Sequence, residues 1–323
     1  MERIRWGMIG TGSVARHKSG PAFMRVAGST LAGVASRTPA SAEAYARDFG
    51  VARVFADPQA LIVANDIDAV YIATPPSSHV PLALEVAKAG KPCCIEKPMA
   101  VHYPDAVRVQ QAFVQAGQPL FVSYYRRSLP RFLQVRDWIR DGAIGEVRGV
   151  DWRLARVAPA DPLQQGWRTS PGEAIGGLFD DLACHGLDLF DFLFGPMSAI
   201  VPTALARDDA TRVLQSVGAS WRHGSRVTGR GTWDFAAAAR VDAVTVTGSD
   251  GTIRFSMFDE QPIVLQAGTR HESRVIAHPQ PIQLPHVAAM VSHLAGTALH
   301  PSMAESALRT AWATARILGE VGG

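Results

Sequence analysis

The strongest constraint on the fold is an alternation from residue 4 to about 123, in which short apolar runs take turns with segments of helical character. The apolar runs, often β-branched, lie at 4–9, 30–36, 69–73, 92–96 and 120–122. Runs that are apolar throughout belong to strands buried on both faces. The helical segments fall at 13–26, 41–49, 58–64, 80–89 and 105–116, and Gly50, Gly90 and Gly117 stand at helix stops. A parallel return needs a crossover, so repeated strand–helix units specify a parallel sheet covered by helices on both faces. Residues 1–123 read as a doubly wound α/β domain.

The first run leads into Gly10-Thr11-Gly12-Ser13-Val14-Ala15, a G-x-G-x-x-A spacing between strand and helix. The first glycine permits a tight turn, and the second lets a pyrophosphate approach the backbone. The small third residue lets helix and strand pack closely, and the helix N-terminus offers N–H groups to phosphate. A dinucleotide held at Gly10, Gly12, Ser13 and Val14 is expected, although such turns also serve ordinary strand-to-helix connections. The second run ends in Ser36-Arg37-Thr38, with no acid to accept the ribose hydroxyls of NAD. Arg37 can pair with a 2'-phosphate while Ser36 and Thr38 donate hydroxyls, so NADP(H) is the expected preference and NAD(H) the other possibility. A solvated loop arginine would look the same.

Composition removes other classes. At 323 residues the chain can form two domains, and with 47% apolar residues and mean hydropathy +0.05 it has no stretch long enough to span a membrane. The first strand follows Met1 so closely that a signal peptide has no room, and a cytoplasmic protein is expected. Cys93, Cys94 and Cys184 form neither a disulfide framework nor a zinc spacing, and no metal site is expected. The net charge of +3 is spread and mixed with acids, which argues against a nucleic-acid partner.

The remainder, 124–323, reads as an α+β domain. A helical segment at 130–141 precedes strand candidates at 147–157, 199–205, 213–221, 227–235, 243–248, 252–257 and 263–267. Strands in succession imply an open, largely antiparallel sheet. The stretch 285–321 reads as helix, interrupted at 297–301, which could pack back on the first domain.

Two constellations can carry chemistry. Glu96-Lys97-Pro98 stands at the end of a strand, where ligands lie in open parallel sheets, so Glu96 and Lys97 are placed for a bound nicotinamide and Lys97 for a reacting hydroxyl. An isolated E-K dipeptide is otherwise an exposed lysine beside its acid. In 176–188, Asp181 and His185 are one helical turn apart, and Asp188 follows on the same face. The imidazole suits proton transfer and the carboxylate can orient it, while a capped helix with an ion pair would share the pattern.

Together, Gly10 to Ala15, Glu96-Lys97-Pro98 and Gly176 to Asp188, in this order, resemble the glucose-fructose oxidoreductase / inositol dehydrogenase / MocA family over essentially the whole chain. Thr74-Pro75-Pro76-Ser77-Ser78-His79 is similar to the family's T-P-x-x-x-H cofactor loop, which implies cofactor contacts at Thr74, Pro75 and His79. The resemblance implies a Rossmann domain, a catalytic set of Lys97, Asp181 and His185, and an open second sheet that assembles homodimers or homotetramers. It implies an oxidoreductase moving hydride between NAD(P) and a sugar, cyclitol or similar polyol. Where the family often has glycine, this chain has Ile175 and Ala183. Gln165-Gly166-Trp167-Arg168 is similar to a segment of the NADPH-dependent anhydrofructose reductase branch, which implies that Trp167 and Arg168 lie near the nicotinamide. Tyr125 and Arg168 join Lys97, Asp181 and His185 as expected substrate contacts. The same scaffold also serves NAD-dependent glycoside hydrolysis and non-catalytic dinucleotide sensing.

Overall fold

In a computed structural model of the chain, the described residues are 3–158, 166–170, 172–209 and 213–321. The sequence divides into two compact units, Met1–Leu129 with Pro279–Leu308, and Pro130–His278 with Arg309–Gly323.

In the first unit, β1 (Ile4–Ile9), β2 (Ser29–Ala35), β3 (Arg53–Val54), β4 (Ala69–Ile72), β5 (Cys93–Ile95) and β6 (Leu120–Val122) form a parallel sheet of order β3-β2-β1-β4-β5-β6. The crossovers are α1 (Gly20–Arg25), α2 (Pro39–Phe49), α3 (Pro58–Ile62), α4 (His79–Lys88) and α5 (Tyr103–Ala116). The expected helix at 13–26 is not uniform, because a π-helical turn over Ala15–Ser19 precedes α1. Gly50 and Gly117 close their helices in the left-handed conformation. Strand β3, two exposed residues, carries no apolar signature and was not legible as a run.

Trp6, Phe23 and Tyr71 pack with tilted rings at the centre of this unit, with ring centroids 4.8 and 5.0 Å apart. Helix α8 (Leu284–Leu294) adds Val287 and Met290 to the same core, and the Ser302 hydroxyl donates to the Val122 carbonyl. Those contacts place Pro279–Leu308 in the first unit, where a boundary at 123 assigns 124–323 to one domain whose C-terminal helix could pack back on the first.

The second unit opens with α6 (Pro130–Arg140) and carries a sheet of eight strands. These are β7 (Val147–Val157), β8 (Met197–Arg207), β9 (Leu214–His223), β10 (Val227–Ala237), β11 (Val241–Gly248), β12 (Gly251–Phe255), β13 (Ile263–Ala267) and β14 (Arg270–Arg274). The order is β14-β13-β12-β11-β7-β10-β9-β8, and every pairing is antiparallel except β7 with β10. The expected open, largely antiparallel sheet is therefore mixed at its centre. Charged, exposed β14 gave no apolar signal.

Helix α7 (Leu178–Phe194) covers one face of this sheet. Inward residues of β7 and β10 form an aromatic bed beneath it, with Phe179 against Trp233 at 5.1 Å and Trp152 against Phe190 at 5.9 Å. On the opposite face the strands present Asp151, Arg153, Thr228, Arg230 and Thr232, all exposed. Helix α9 (Ala304–Leu318) runs across the boundary between the two sequence segments. No helix among the described residues is long and apolar enough to cross a membrane.

Candidate active site

The first unit gathers its candidate residues along one edge of the sheet, because the ladder continues past each strand's C-terminus. Gly10 N donates to Ala35 O at 2.8 Å, Ala73 N to Ile9 O at 2.8 Å, and Glu96 N to Ile72 O at 2.9 Å. The turn at Gly10, the loop at Ser36, the loop at Thr74 and the E-K-P segment thus lie side by side, where a doubly wound fold places ligands.

The two glycines of the turn differ in kind. Gly10 has φ +101°, and a Cβ there would stand 2.6 Å from the Ala73 carbonyl oxygen, so the fold itself demands glycine. At Gly12 a Cβ would meet no protein atom within 4 Å. Packing gives no reason for that second glycine, and the space matches a cradle for an approaching phosphate. Thr74 Oγ1 is buried with no hydrogen-bond partner among the described residues, which leaves a donor for a bound group. Both features fit a dinucleotide. Ser13 is exposed, and its carbonyl oxygen meets His17 Nδ1 at 2.9 Å. Val14 and Ser36 are half-buried, and Arg37 and Thr38 are exposed, with no carboxylate among the described residues paired to Arg37.

His79 is fully buried and ties two loops together. One ring nitrogen meets the Thr74 carbonyl oxygen at 2.9 Å and the other the Pro98 carbonyl oxygen at 2.8 Å. It thereby fixes the T-P-x-x-x-H loop, including exposed Pro75, against the segment that carries half-buried Lys97. Glu96 is buried and points into the unit, where Oε1 accepts from Tyr71 Oη at 2.6 Å and from Gln283 Nε2 at 2.9 Å. Burial, reinforced by the Glu96 charge, raises the Tyr71 hydroxyl well above its ordinary pKa and keeps it a donor. Tyr71 and Gln283 were not singled out from sequence, since an apolar strand and a distant glutamine give no sign of a shared carboxylate. Tyr125 is buried, with the Arg126 guanidinium 5.2 Å from its ring.

The second unit brings together Arg168, Asp181 and His185. Helix α7 starts at Gly177, whose φ of +59° suits only glycine, and a Cβ on Gly186 would stand 2.3 Å from the Trp152 ring. The helix therefore descends directly onto the sheet one residue after His185. Asp181 accepts from Arg168 Nε at 2.7 Å, and Arg168 lies 5.0 Å from the Trp167 ring. His185 is buried, with its ring 6.1 Å from that of Phe258. Asp188, expected on the same face, is fully buried and accepts from Thr310 Oγ1 at 3.2 Å, so it anchors α9. Gln165 lies outside the described residues.

Asp180 is a further member of this site to which sequence reasoning gave no role. Its Oδ2 accepts from Ile175 N at 2.9 Å and Gly176 N at 2.7 Å, fastening the turn that launches α7. Burial pushes its carboxyl up to about 6, against the two backbone N–H groups and Arg207, which pull it down. The adjacent acids Asp180 and Asp181 were the available signal, because successive helical residues must face different surroundings.

Two family models match the chain. "Oxidoreductase family, NAD-binding Rossmann fold" covers residues 4–124, and "GFO/IDH/MocA C-terminal domain" covers 132–254. Oxidoreductase P35 of Formosa agariphila is 32% identical over 308 residues, spanning 94% of this chain and 95% of that protein. Inositol 2-dehydrogenase of Rhizobium meliloti is 36% identical over 216 residues, spanning 64% of this chain and 60% of that protein. The crystal structure of aldose-aldose oxidoreductase from Caulobacter crescentus, complexed with glycerol, superposes with TM-score 0.86 at 24% identity, covering 99% of this chain and 97% of that one. That last likeness concerns the fold alone.

Proposed function

The chain belongs to the GFO/IDH/MocA oxidoreductase family, with an NAD-binding Rossmann domain, and from that premise we propose that it is an NADP(H)-preferring dehydrogenase or reductase of a sugar, cyclitol or similar polyol. The observation that carries the reading is the buried imidazole of His185, one turn beyond an ion-paired Asp181 on a helix seated directly on the sheet. A bound nicotinamide dinucleotide supplies or accepts the hydride.

The chain's own residues do the rest. Gly12, Ser13 and Val14 receive the pyrophosphate at the turn, and Ser36, Arg37 and Thr38 receive the ribose end, where Arg37 favours a 2'-phosphate. Thr74, Pro75 and His79 shape the loop beside it. Lys97 donates to the substrate oxygen and stabilises negative charge there, and His185 takes or returns the hydroxyl proton. Asp181 orients imidazole and substrate, with Arg168, Trp167 and Tyr125 as further contacts. Assembly through the exposed face of the second sheet and a cytoplasmic location complete the reading.

The test has two parts. NADPH should bind more tightly than NADH, and Arg37→Asp should reverse the order. Lys97→Met and His185→Ala should retain cofactor binding and lose turnover at the nicotinamide absorbance band. Near wild-type rates in those variants would overturn the assignment. Release of free sugar without net change in cofactor would instead indicate glycoside hydrolysis, and tight NADPH binding with no turnover of any polyol would indicate a sensor.

A further inference from the structure

Arg156 sits on β7 at the same strand parity as Trp152 and Leu154, which face α7. Its guanidinium carbon lies 5.6 Å from the centre of the Phe258 ring, and that ring lies 6.1 Å from the His185 imidazole and 6.4 Å from Trp152. One aromatic ring thus touches both the imidazole and the cation.

The ring is firmly placed. Asp242 accepts from Phe258 N at 2.7 Å and from the Ser256 hydroxyl. Arg131, fully buried, donates to the carbonyls of Asp259 at 2.6 Å and Gln261 at 3.0 Å. The loop that carries Phe258 is therefore pinned on both sides of it.

Three other arginines of this unit have evident partners. Arg168 pairs with Asp181, Arg309 with Asp191, and Arg207 donates to the Ile175 carbonyl. Arg156 Nε is buried without a hydrogen-bond partner, and no carboxylate pairs with its guanidinium, among the described residues. A partly buried cation without a counter-charge is costly unless something else neutralises it. A planar guanidinium is suited to bidentate recognition of carboxylate or phosphate.

We propose that the substrate carries an oxyanion, carboxylate or phosphate, that Arg156 binds, so that the enzyme acts on acidic sugars or polyols rather than neutral ones. This rests on the reading of α7 as the helix that handles the reacting hydroxyl. Phe258 would then pack against the carbon skeleton between the anionic end and His185.

The experiment uses the full-length protein saturated with NADP+ or NADPH and measures both calorimetric binding and nicotinamide absorbance. The probes are glucose, glucuronate and glucose 6-phosphate, galactose and galacturonate, and myo-inositol and its monophosphate. At least one acidic member should bind about 10- to 100-fold more tightly than its neutral counterpart. Arg156→Met should abolish that preference and Arg156→Lys should restore part of it, with circular dichroism confirming that both variants fold. Preference for glucuronate and galacturonate identifies a carboxylate, and preference for the phosphorylated probes identifies a phosphate. Neutral sugars binding as tightly as every acidic partner, or a preference unmoved by Arg156→Met, overturns the inference. Acid-selective binding without any absorbance change sustains it while refuting the proposed function.

Discussion

Arg168 donates from Nε to Asp181 Oδ2 across 2.7 Å, so the carboxylate one turn ahead of His185 is held by a side chain from outside the helix. The pair is partly open, with side-chain exposures of 33% for Arg168 and 11% for Asp181, so its value lies in orientation more than in stability. Arg168→Ala should lower kcat/KM by about 10- to 100-fold, with melting temperature nearly unchanged. Arg168→Lys should recover only part of the loss, because an ammonium cannot reproduce the planar fork. Unchanged kinetics in Arg168→Ala would remove Asp181 orientation from the mechanism.

The glycine turn separates folding from binding. Gly12→Ala should leave the melting temperature unaltered and weaken NADPH binding at least tenfold, since its Cβ enters space that no protein atom occupies. Gly10→Ala should destabilise the fold by about 1–3 kcal/mol, through both positive φ and the approach to Ala73. Fluorescence titration and thermal melts on the two variants decide this, and equal stability losses would contradict it.

Asp180 gives a pH dependence of unusual sign for a carboxylate. Its folded pKa is raised to about 6, above the roughly 3.9 of an unfolded chain, so the fold binds more protons between those values. Its stabilising contribution is complete below about pH 4 and is lost as pH rises through 6. Asp180→Asn should therefore gain up to about 2–3 kcal/mol relative to wild type at pH 8 and almost nothing at pH 4. Urea unfolding at both values tests this, and an advantage independent of pH would disprove it.

His286 and His300 act in the opposite sense. Burial holds His286 well below its ordinary value, and His300 is brought to about 4. Their rings stand 4.7 Å apart, and His300 Nδ1 accepts from Ser302 N at 3.0 Å. Both protonate near pH 6.5 in the unfolded chain, so their contribution is complete above that pH and falls away toward pH 4. Wild-type stability should drop by about 2 kcal/mol or more between pH 7 and pH 5 on their account. His300→Asn should flatten that slope, and an unchanged slope would count against the assignment.

The first sheet was legible because continuous apolar runs and helix-stop glycines report local choices that tertiary contacts seldom reverse. Gly10, Glu96, Asp181 and His185 could be found by spacing. Their partners could not, because Gln283 reaches Glu96 across 187 positions and Phe258 reaches His185 from a loop without motif. Residue types told of Asp188 only that it could face the site, and Thr310 on another helix decided that it does not. Asp180 fastens the turn through the backbone N–H groups of Ile175 and Gly176, a role visible only once those groups have directions.

The seat of Gly186 on Trp152 has a consequence for diversification. The imidazole's height above the sheet is set by a helix backbone resting on an indole, and not by the loops around it. Substitutions in the surrounding loops that leave Arg168 and Phe258 in place keep that height, whereas enlarging residue 186 would lift the helix off the indole. For engineering, loop libraries that spare Arg168 and Phe258 are the economical place to search, and the glycine is the position to leave untouched.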